Sequence, residues 1–266
     1  MTDTDRGQVS SSAAEIYESF FVPALFRDWA VRVADAARIG VGERVLDVAC
    51  GTGVLSRTAR ERVGGTGSVV GVDVNPAMLA VARRTSAEVE WREAAAEALP
   101  FESGSFDVAV SQFGLMFFRD RVAALAEMMR VLRSGGRLAV AVWDSLEKTP
   151  GYAAVTRLLE RLFGAEVADL LRAPYALGDA RLLMETVRAA GVPEPRLETA
   201  TGTARFASLE AWMHTDVRGW TLADRIDESG FRTLLSHAQR ELRQFVDADG
   251  RVSFPAPAHI VTALKG

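Results

Sequence analysis

Two carboxylates and a glycine-rich turn carry the first chemistry this chain offers. Residues Arg44 to Gly53 read R-V-L-D-V-A-C-G-T-G, and a second apolar run, Ser68-Val-Val-Gly-Val-Asp73, closes on an acid twenty positions after Gly53. Glycines after a β-branched run let the backbone turn sharply and approach a ligand with no Cβ in the way. A helix starting near Thr52 then turns free N–H groups and the positive end of its dipole toward an anionic group such as a carboxylate or phosphate. Asp73, at the carboxyl end of the next strand, is placed to accept two hydrogen bonds from a ribose diol, each worth about 1.5–3 kcal/mol because the acceptor is charged. The pair asks for a nucleoside with an acidic tail.

Two nucleoside classes meet that requirement. A dinucleotide fingerprint wants G-x-G-x-x-G, but Gly51-Thr-Gly53-Val-Leu-Ser56 puts serine at the third glycine, and Asp47 stands just before the turn. That acid repels a pyrophosphate and attracts the α-amine of S-adenosylmethionine. The methyl donor fits better, although an NAD-linked oxidoreductase remains the rival among enzymes.

The remaining reactive side chains are few. There are three histidines. His214, in Trp212-Met-His-Thr-Asp216, is the foremost candidate for a general base; its bland alternative is a surface or structural histidine. His237, among Ser236, Gln239 and Arg240, reads as solvent-facing, and His259, beside Ile260, as packed. Tyr17 is placed either to lay its ring near a sulfonium, for about 0.5–2 kcal/mol, or to serve as a core aromatic. Cys50, the lone cysteine, reads as a small apolar filler in the turn rather than a nucleophile. Trp212 and Trp220 share a helical spacing and could stack on an aromatic acceptor, with packing the more ordinary use. No H-x-x-x-H or C-x-x-C occurs, so no metal is expected.

Those residues need a scaffold, and hydrophobic periodicity supplies one. Strands over 44–48, 68–73, 88–92, 106–111 and 137–143 alternate with helices over 53–63, 76–86 and 120–132, Asn75-Pro76 forming an N-cap and first turn. Such alternation specifies a doubly wound α/β fold, largely parallel, with ligands at the carboxyl ends of the strands. Gly51, Asp73, Ala96 and Ser111 to Phe113 fall there. Helical spacing of Ile16, Phe20, Leu25, Trp29 and Val33 predicts two N-terminal helices, 13–21 and 23–39, over residues 1–40. A helix at 179–190, a strand at 197–206 and a last strand at 255–263 complete a core of 41–206 plus 251–266. Residues 145–178 and 207–250, helical by period, are left over as a cap on the substrate pocket.

The chain resembles the class I S-adenosylmethionine-dependent methyltransferases, in particular the small-molecule group containing the ubiquinone and menaquinone C-methyltransferases. Five segments carry the resemblance in family order: 45–53, 69–79 (V-V-G-V-D-V-N-P-A-M-L), 97–101 (E-A-L-P-F), 105–118 (S-F-D-V-A-V-S-Q-F-G-L-M-F-F) and 130–138 (R-V-L-R-S-G-G-R-L). It implies a seven-stranded Rossmann-like sheet with an antiparallel last strand, and S-adenosylmethionine as donor. Tyr17, Asp47, Ala49, Gly51, Gly53, Asp73, Val74, Met78, Ala96, Glu97 and Ser111 are then the expected donor contacts. Gln112 joins His214 as a candidate at the reacting centre. Position 49 is alanine where glycine is frequent. Ala95 stands where relatives usually carry an aspartate that holds the adenine amino group; Ala96 N–H and Glu97 are the substitutes.

Composition narrows the partners without naming the acceptor. A net charge of -4 from 31 basic and 35 acidic residues leaves no basic stripe for nucleic acid. No signal peptide or run of 18 apolar residues is present, so the expected setting is the cytoplasm, without stable membrane insertion. Only Lys148 and Lys265 are lysines, the bias of a bacterium with a GC-rich genome. The expected partner is a small aromatic or apolar methyl acceptor, taking the group at O, C or N, with homodimerisation left open. A donor-binding protein that performs no methyl transfer, a regulator or a repurposed fold, is the remaining alternative.

Overall fold

The computed structural model describes residues 10–219 and 222–266. Its centre is a strand that meets water on neither face. In β1 (Arg44–Val48) the side chains of Val45, Leu46 and Val48 are fully buried, each contributing about 1.5–3 kcal/mol of hydrophobic stabilisation. On one side β1 pairs in parallel with β2 (Ser68–Asp73), which pairs with β3 (Glu90–Glu93). On the other it pairs in parallel with β4 (Phe106–Gln112), followed by β5 (Leu132–Trp143). Helices α3 (Val54–Val63), α4 (Pro76–Thr85) and α5 (Arg121–Val131) make the crossovers.

The full order is β3-β2-β1-β4-β5-β7-β6, with β7 (Val252–Leu264) antiparallel to both β5 and β6 (Arg196–Phe206). This is the doubly wound sheet with the reversed last strand that the family resemblance implied. Pro255 and Pro257 lie inside β7 yet cost no ladder bond to β5. The pairing with β5 runs out at Trp143↔Ala258, so the proline segment has β6 alone as a neighbour.

Helix starts follow capping chemistry. Asn75 accepts hydrogen bonds from the N–H groups of Ala77 and Met78 ahead of α4, with Pro76 in its first turn; Asp120 accepts from Ala123 ahead of α5.

Two elements differ from the sequence expectation. β5 starts at Leu132 rather than 137, running through Ser134-Gly135-Gly136, a stretch that reads as a turn. The strand crosses it on a register shift between Phe106 and Val108 of β4, and Lys265 O accepts the Gly135 N–H. At the N-terminus, Pro23 was expected to start a second helix. Instead α1 (Ser11–Ile16) passes into a π-helical stretch, Tyr17–Phe26, and on into α2 (Arg27–Ala36) as one continuous rod. The wider π winding accommodates a ring that an α-helix interior rejects.

Between β5 and β6 lie α6 (Pro150–Phe163), α7 (Ala165–Arg172) and α8 (Ala180–Ala189); between β6 and β7 lie α9 (Leu209–Arg218) and α10 (Glu228–Glu241). Gly151 lets α6 sit against β7, since a Cβ there would come within 2.5 Å of the Phe254 ring. No helix among the described residues is long and apolar enough to cross a membrane.

Candidate active site

β1 delivers Asp47 to the carboxyl edge of the sheet and hands over to a turn of three left-handed residues. Ala49, Gly51 and Gly53 have φ of 58°, 55° and 89°. Such values suit glycine and strain alanine. Gly114 makes room for that strained residue, because a Cβ at 114 would stand 2.6 Å from the Ala49 Cβ.

The turn is stitched to the end of β2. The Gly51 N–H donates to Asp73 Oδ2 at 2.8 Å, the Asn75 N–H to Asp73 Oδ1 at 2.9 Å, and the Cys50 N–H to Val72 O at 3.0 Å. Asp73 therefore fixes the loop first, with further lone pairs left to face outward. Asp47 is 1% exposed and accepts the Ser56 hydroxyl at 2.6 Å.

Among the described residues neither acid forms an ion pair. Burial pushes the Asp47 carboxyl up to about 7 despite the Ser56 hydrogen bond, and the negative Asp73 adds to the rise. Burial likewise raises Asp73, against the hydrogen bonds it accepts. The Tyr17 hydroxyl is held far above the ordinary tyrosine range by burial, with the Asp73 and Glu18 charges adding. A site that penalises its own negative charge in this way favours a ligand bringing positive charge and hydrogen-bond donors.

These groups surround a cleft of about 450 Å³, within the size range of small-molecule sites. Asp47, Ala49 and Gly51 from the first turn, Asp73, Val74 and Met78 from the end of β2 and the start of α4, and Ala96 and Glu97 all line it. Glu97 Oε1 accepts the N–H groups of Arg119 at 2.8 Å and Asp120 at 3.2 Å, tying down the far rim. The N-terminal rod closes the top through Tyr17, and Glu18 clamps it there. Arg57 donates to Glu18 Oε1 at 2.8 Å and to Thr52 O at 2.7 Å, joining the rod to the glycine turn.

A narrow second chamber of about 60 Å³ shares the walls Tyr17, Phe113 and Phe117 with the cleft. Its lining is otherwise aromatic and apolar: Phe21, Phe26 and Trp143 from the core side, Tyr152, Leu171 and Tyr175 from α6, α7 and the turn that follows. Phe113 and Trp143 stack at 3.7 Å between centroids, 6° from parallel. One acid reaches this chamber, Asp216 of α9, whose Oδ1 accepts the Tyr152 hydroxyl at 3.0 Å.

A family described as Methyltransferase domain matches residues 45–136. The chain is 40% identical over 172 residues to the demethylmenaquinone methyltransferase of Thermus thermophilus, covering 62% of this chain and 76% of that one. It is 33% identical over 195 residues to the ubiquinone/menaquinone biosynthesis C-methyltransferase of Xylella fastidiosa, covering 68% and 73%. The chain belongs to the class I S-adenosylmethionine-dependent methyltransferases. Solved structures share the fold: a Haemonchus contortus phosphoethanolamine N-methyltransferase 2 aligns with TM-score 0.63 at 21% identity, over 98% of this chain and 58% of that one. The YcgJ protein of Bacillus subtilis aligns at 0.59 and 21%, over 89% and 97%. As a member of this class the protein is an enzyme that takes its methyl group from S-adenosylmethionine.

For this methyltransferase the placement of the expected residues divides cleanly. Tyr17, Asp47, Ala49, Gly51, Asp73, Val74, Met78, Ala96, Glu97 and Gln112 all line the cleft. Gly53 and Ser111 do not. The Gly53 N–H is consumed within the turn, donating to Cys50 O at 2.8 Å, and the missing Cβ leaves space for the Trp91 indole, since a Cβ there would stand 2.3 Å from the ring. Ser111 is fully buried beneath the surface, its hydroxyl without a hydrogen-bond partner.

His214 is set apart from both spaces. It lines neither cavity and packs between the rings of Phe20 and Phe231. Two positions along an α-helix turn about 200°, so His214 faces away as Asp216 faces the chamber. Trp212 is fully buried, stacked on Phe206 and close to Phe254, a packing role; Trp220 lies outside the described residues. His259 Nδ1 pairs with Thr199 Oγ1 at 2.7 Å and Nε2 with Gly178 O at 3.0 Å, while His237 pairs with Glu241 on the polar face of α10. Burial drives the Cys50 thiol well above its ordinary range, which leaves it inert.

Asp216 and Tyr152 were not singled out from the sequence. A signal existed: Asp216 sits one helical turn after Trp212, an acid on the apolar face of its helix. Its partner, 64 positions earlier, is invisible to local pattern.

Proposed function

We propose that the enzyme methylates a small aromatic metabolite bearing a phenol-type hydroxyl, with the donor in the cleft and the acceptor ring in the adjoining chamber. The observation that carries this reading is the shared wall of Tyr17, Phe113 and Phe117, which separates a polar, acid-lined cleft from a chamber of aromatic side chains. A flat ring buries its faces against such walls, and at about 60 Å³ the chamber receives the inner edge of the ring while the remainder lies toward the cleft. The names of the relatives, enzymes of menaquinone and ubiquinone biosynthesis, point the same way.

In this reading Asp73 takes the ribose hydroxyls through its outward lone pairs, and Val74 and Met78 flank the adenine. The Ala96 N–H and Glu97 replace the acid absent at Ala95. The left-handed turn 49–51 and Asp47 receive the amino-acid end, the amine answering the uncompensated acid. S-adenosylmethionine supplies a methyl group already activated by its sulfonium. What remains for the chain is alignment and exclusion of water, and orientation alone contributes about 7–11 kcal/mol. Gln112 is held by donating to Phe26 O at 3.0 Å, and its Oε1 is buried with no hydrogen-bond partner. It is the positioning residue for a ligand donor at the cleft end nearest the chamber. Residues 145–178 and 207–250 act as the cap that brings Tyr152, Tyr175 and Asp216 over the acceptor.

Tritium transfer from labelled S-adenosylmethionine to a panel of phenols and hydroquinones, set beside aliphatic amines and carboxylates, tests the reading. Turnover confined to the phenolic group is expected; turnover confined to the amines or carboxylates overturns it.

A further inference from the structure

The chamber contains one group that an apolar pocket does not need for packing. Asp216 is 2% exposed, enclosed by Tyr152, Tyr175 and Trp212, and desolvation alone makes such a placement costly. Its Oδ1 is occupied by the Tyr152 hydroxyl, which fixes the carboxyl plane. The Trp212 indole N–H approaches from one turn back in the same helix without meeting hydrogen-bond geometry, and both Oδ2 and the indole Nε1 are left without a hydrogen-bond partner. A buried carboxylate oxygen with an open lone pair, on the wall of a cavity that adjoins the donor cleft, is a vacancy for a hydrogen-bond donor carried by the acceptor.

We propose that Asp216, oriented by Tyr152, is the general base that removes the hydroxyl proton of a phenol-type acceptor as the methyl group is transferred. This rests on the aromatic-acceptor reading above. The acceptor O–H bond breaks and its proton passes to Asp216 Oδ2, leaving the electron pair on the oxygen. That pair forms the new bond to the methyl carbon as the carbon–sulfur bond breaks and its electrons return to sulfur. Attack through the conjugated ring carbon uses the same deprotonation; that carbon then gives up its own hydrogen as a proton, which passes through solvent to the oxygen and restores both the hydroxyl and the aromatic ring. The proton on Asp216 leaves to solvent when the product departs.

The surroundings suit the role. The titratable groups facing the carboxyl are Tyr152 from α6, Tyr175 from the turn after α7 and, also on the chamber wall, Tyr17 of the π-helical stretch; among the described residues no Arg, Lys or His lines the chamber. Burial lifts the Asp216 carboxyl to about 8, with the Tyr152 hydrogen bond and the neighbouring Trp212 indole working against the rise. That brings it within about two units of an ordinary phenol near 10, where a base combines adequate ionisation with adequate proton affinity.

The test uses the full-length enzyme and its Asp216→Asn variant, an isosteric change that preserves an oxygen for the Tyr152 hydroxyl. S-adenosylhomocysteine affinity by calorimetry and the melting temperature establish that the variant is folded and binds donor. With a phenol of ordinary acidity, kcat is expected to fall about 10²- to 10⁴-fold, and the limb of the wild-type kcat profile that rises through about pH 8 disappears. With a nitrophenol already ionised at the assay pH, the variant is expected to recover most of the wild-type rate, which a merely structural defect would not allow. Equal loss on both phenols, or no loss on either, overturns the assignment to Asp216 alone. Absence of turnover of any phenol by the wild-type enzyme overturns the acceptor reading, and the base with it.

Discussion

Asp73 carries two loads at once. It anchors the glycine turn through the Gly51 N–H and stands at the cleft wall where a ribose would sit. Asp73→Ala removes both, so S-adenosylhomocysteine affinity measured by calorimetry should fall by about 2 kcal/mol or more; unchanged affinity would count against the cleft as donor site. Asp47 and Asp73 were legible in the sequence because strand, turn and acid are contiguous, and local chemistry alone places them. At Gly53 the spacing shows that a glycine is required, not whether a ligand or the Trp91 indole fills the space beside it. Asp216 escaped because its meaning depends on Tyr152 and on α9 folding over the sheet, and His214 drew attention as the more familiar base.

The rod formed by α1, the π-helical stretch and α2 is the element that covers the cleft. Beside the glycine turn it is tied by Arg57, which binds Glu18 and Thr52 O together and is partly buried; Arg84 with Glu15 and Arg62 with Asp35 tie it elsewhere. Arg57→Ala breaks that clamp and leaves the Glu18 carboxylate facing the interior unpaired. A weakening of donor binding by about 1 kcal/mol, roughly five-fold in Kd, is expected from a partly exposed pair, together with faster proteolysis of the N-terminal segment. Unchanged Kd and cleavage rate would show that the Arg57 clamp does not hold the rod over the cleft. On the far side, Gly151→Ala drives a Cβ into Phe254 and should lower stability by about 1–3 kcal/mol in a denaturant titration. The rod's helical periodicity was visible in the sequence, but Pro23 read as a break, because the π winding that absorbs it leaves no pattern of its own. The early start of β5 was hidden similarly by Ser134-Gly135-Gly136.

Across the whole molecule, buried acids without counter-ions set the pH response. Asp47 and Asp216 have carboxyls raised from 3.8 in the unfolded chain to about 7 and about 8. Their contribution to stability is therefore fully present below about pH 4 and is lost as the pH rises through those values. Asp216→Asn removes one of the two charges, so its melting temperature relative to wild type should climb between pH 5 and pH 8; a constant difference would mean that Asp216 titrates normally. Among the described residues no group of three His, Cys, Asp or Glu side chains is disposed to hold a metal ion. Turnover is accordingly expected to persist in EDTA, and loss restored by magnesium would refute that. The doubly wound, mostly parallel character of the sheet was readable from alternating strand and helix patterns and from the family motifs, whereas which side chains of 145–178 and 207–250 line the chamber was not, since that is fixed by contacts between segments far apart in the chain. The decisive measurement is a crystal structure with S-adenosylhomocysteine and a phenolic acceptor. The account predicts the nucleoside along Asp73 and Met78, the sulfur facing Tyr17 and Phe113, and the acceptor ring among Phe26, Trp143 and Tyr152 with its hydroxyl at Asp216. A ring bound outside that chamber, or a donor seated away from the Asp47–Asp73 cleft, would contradict it.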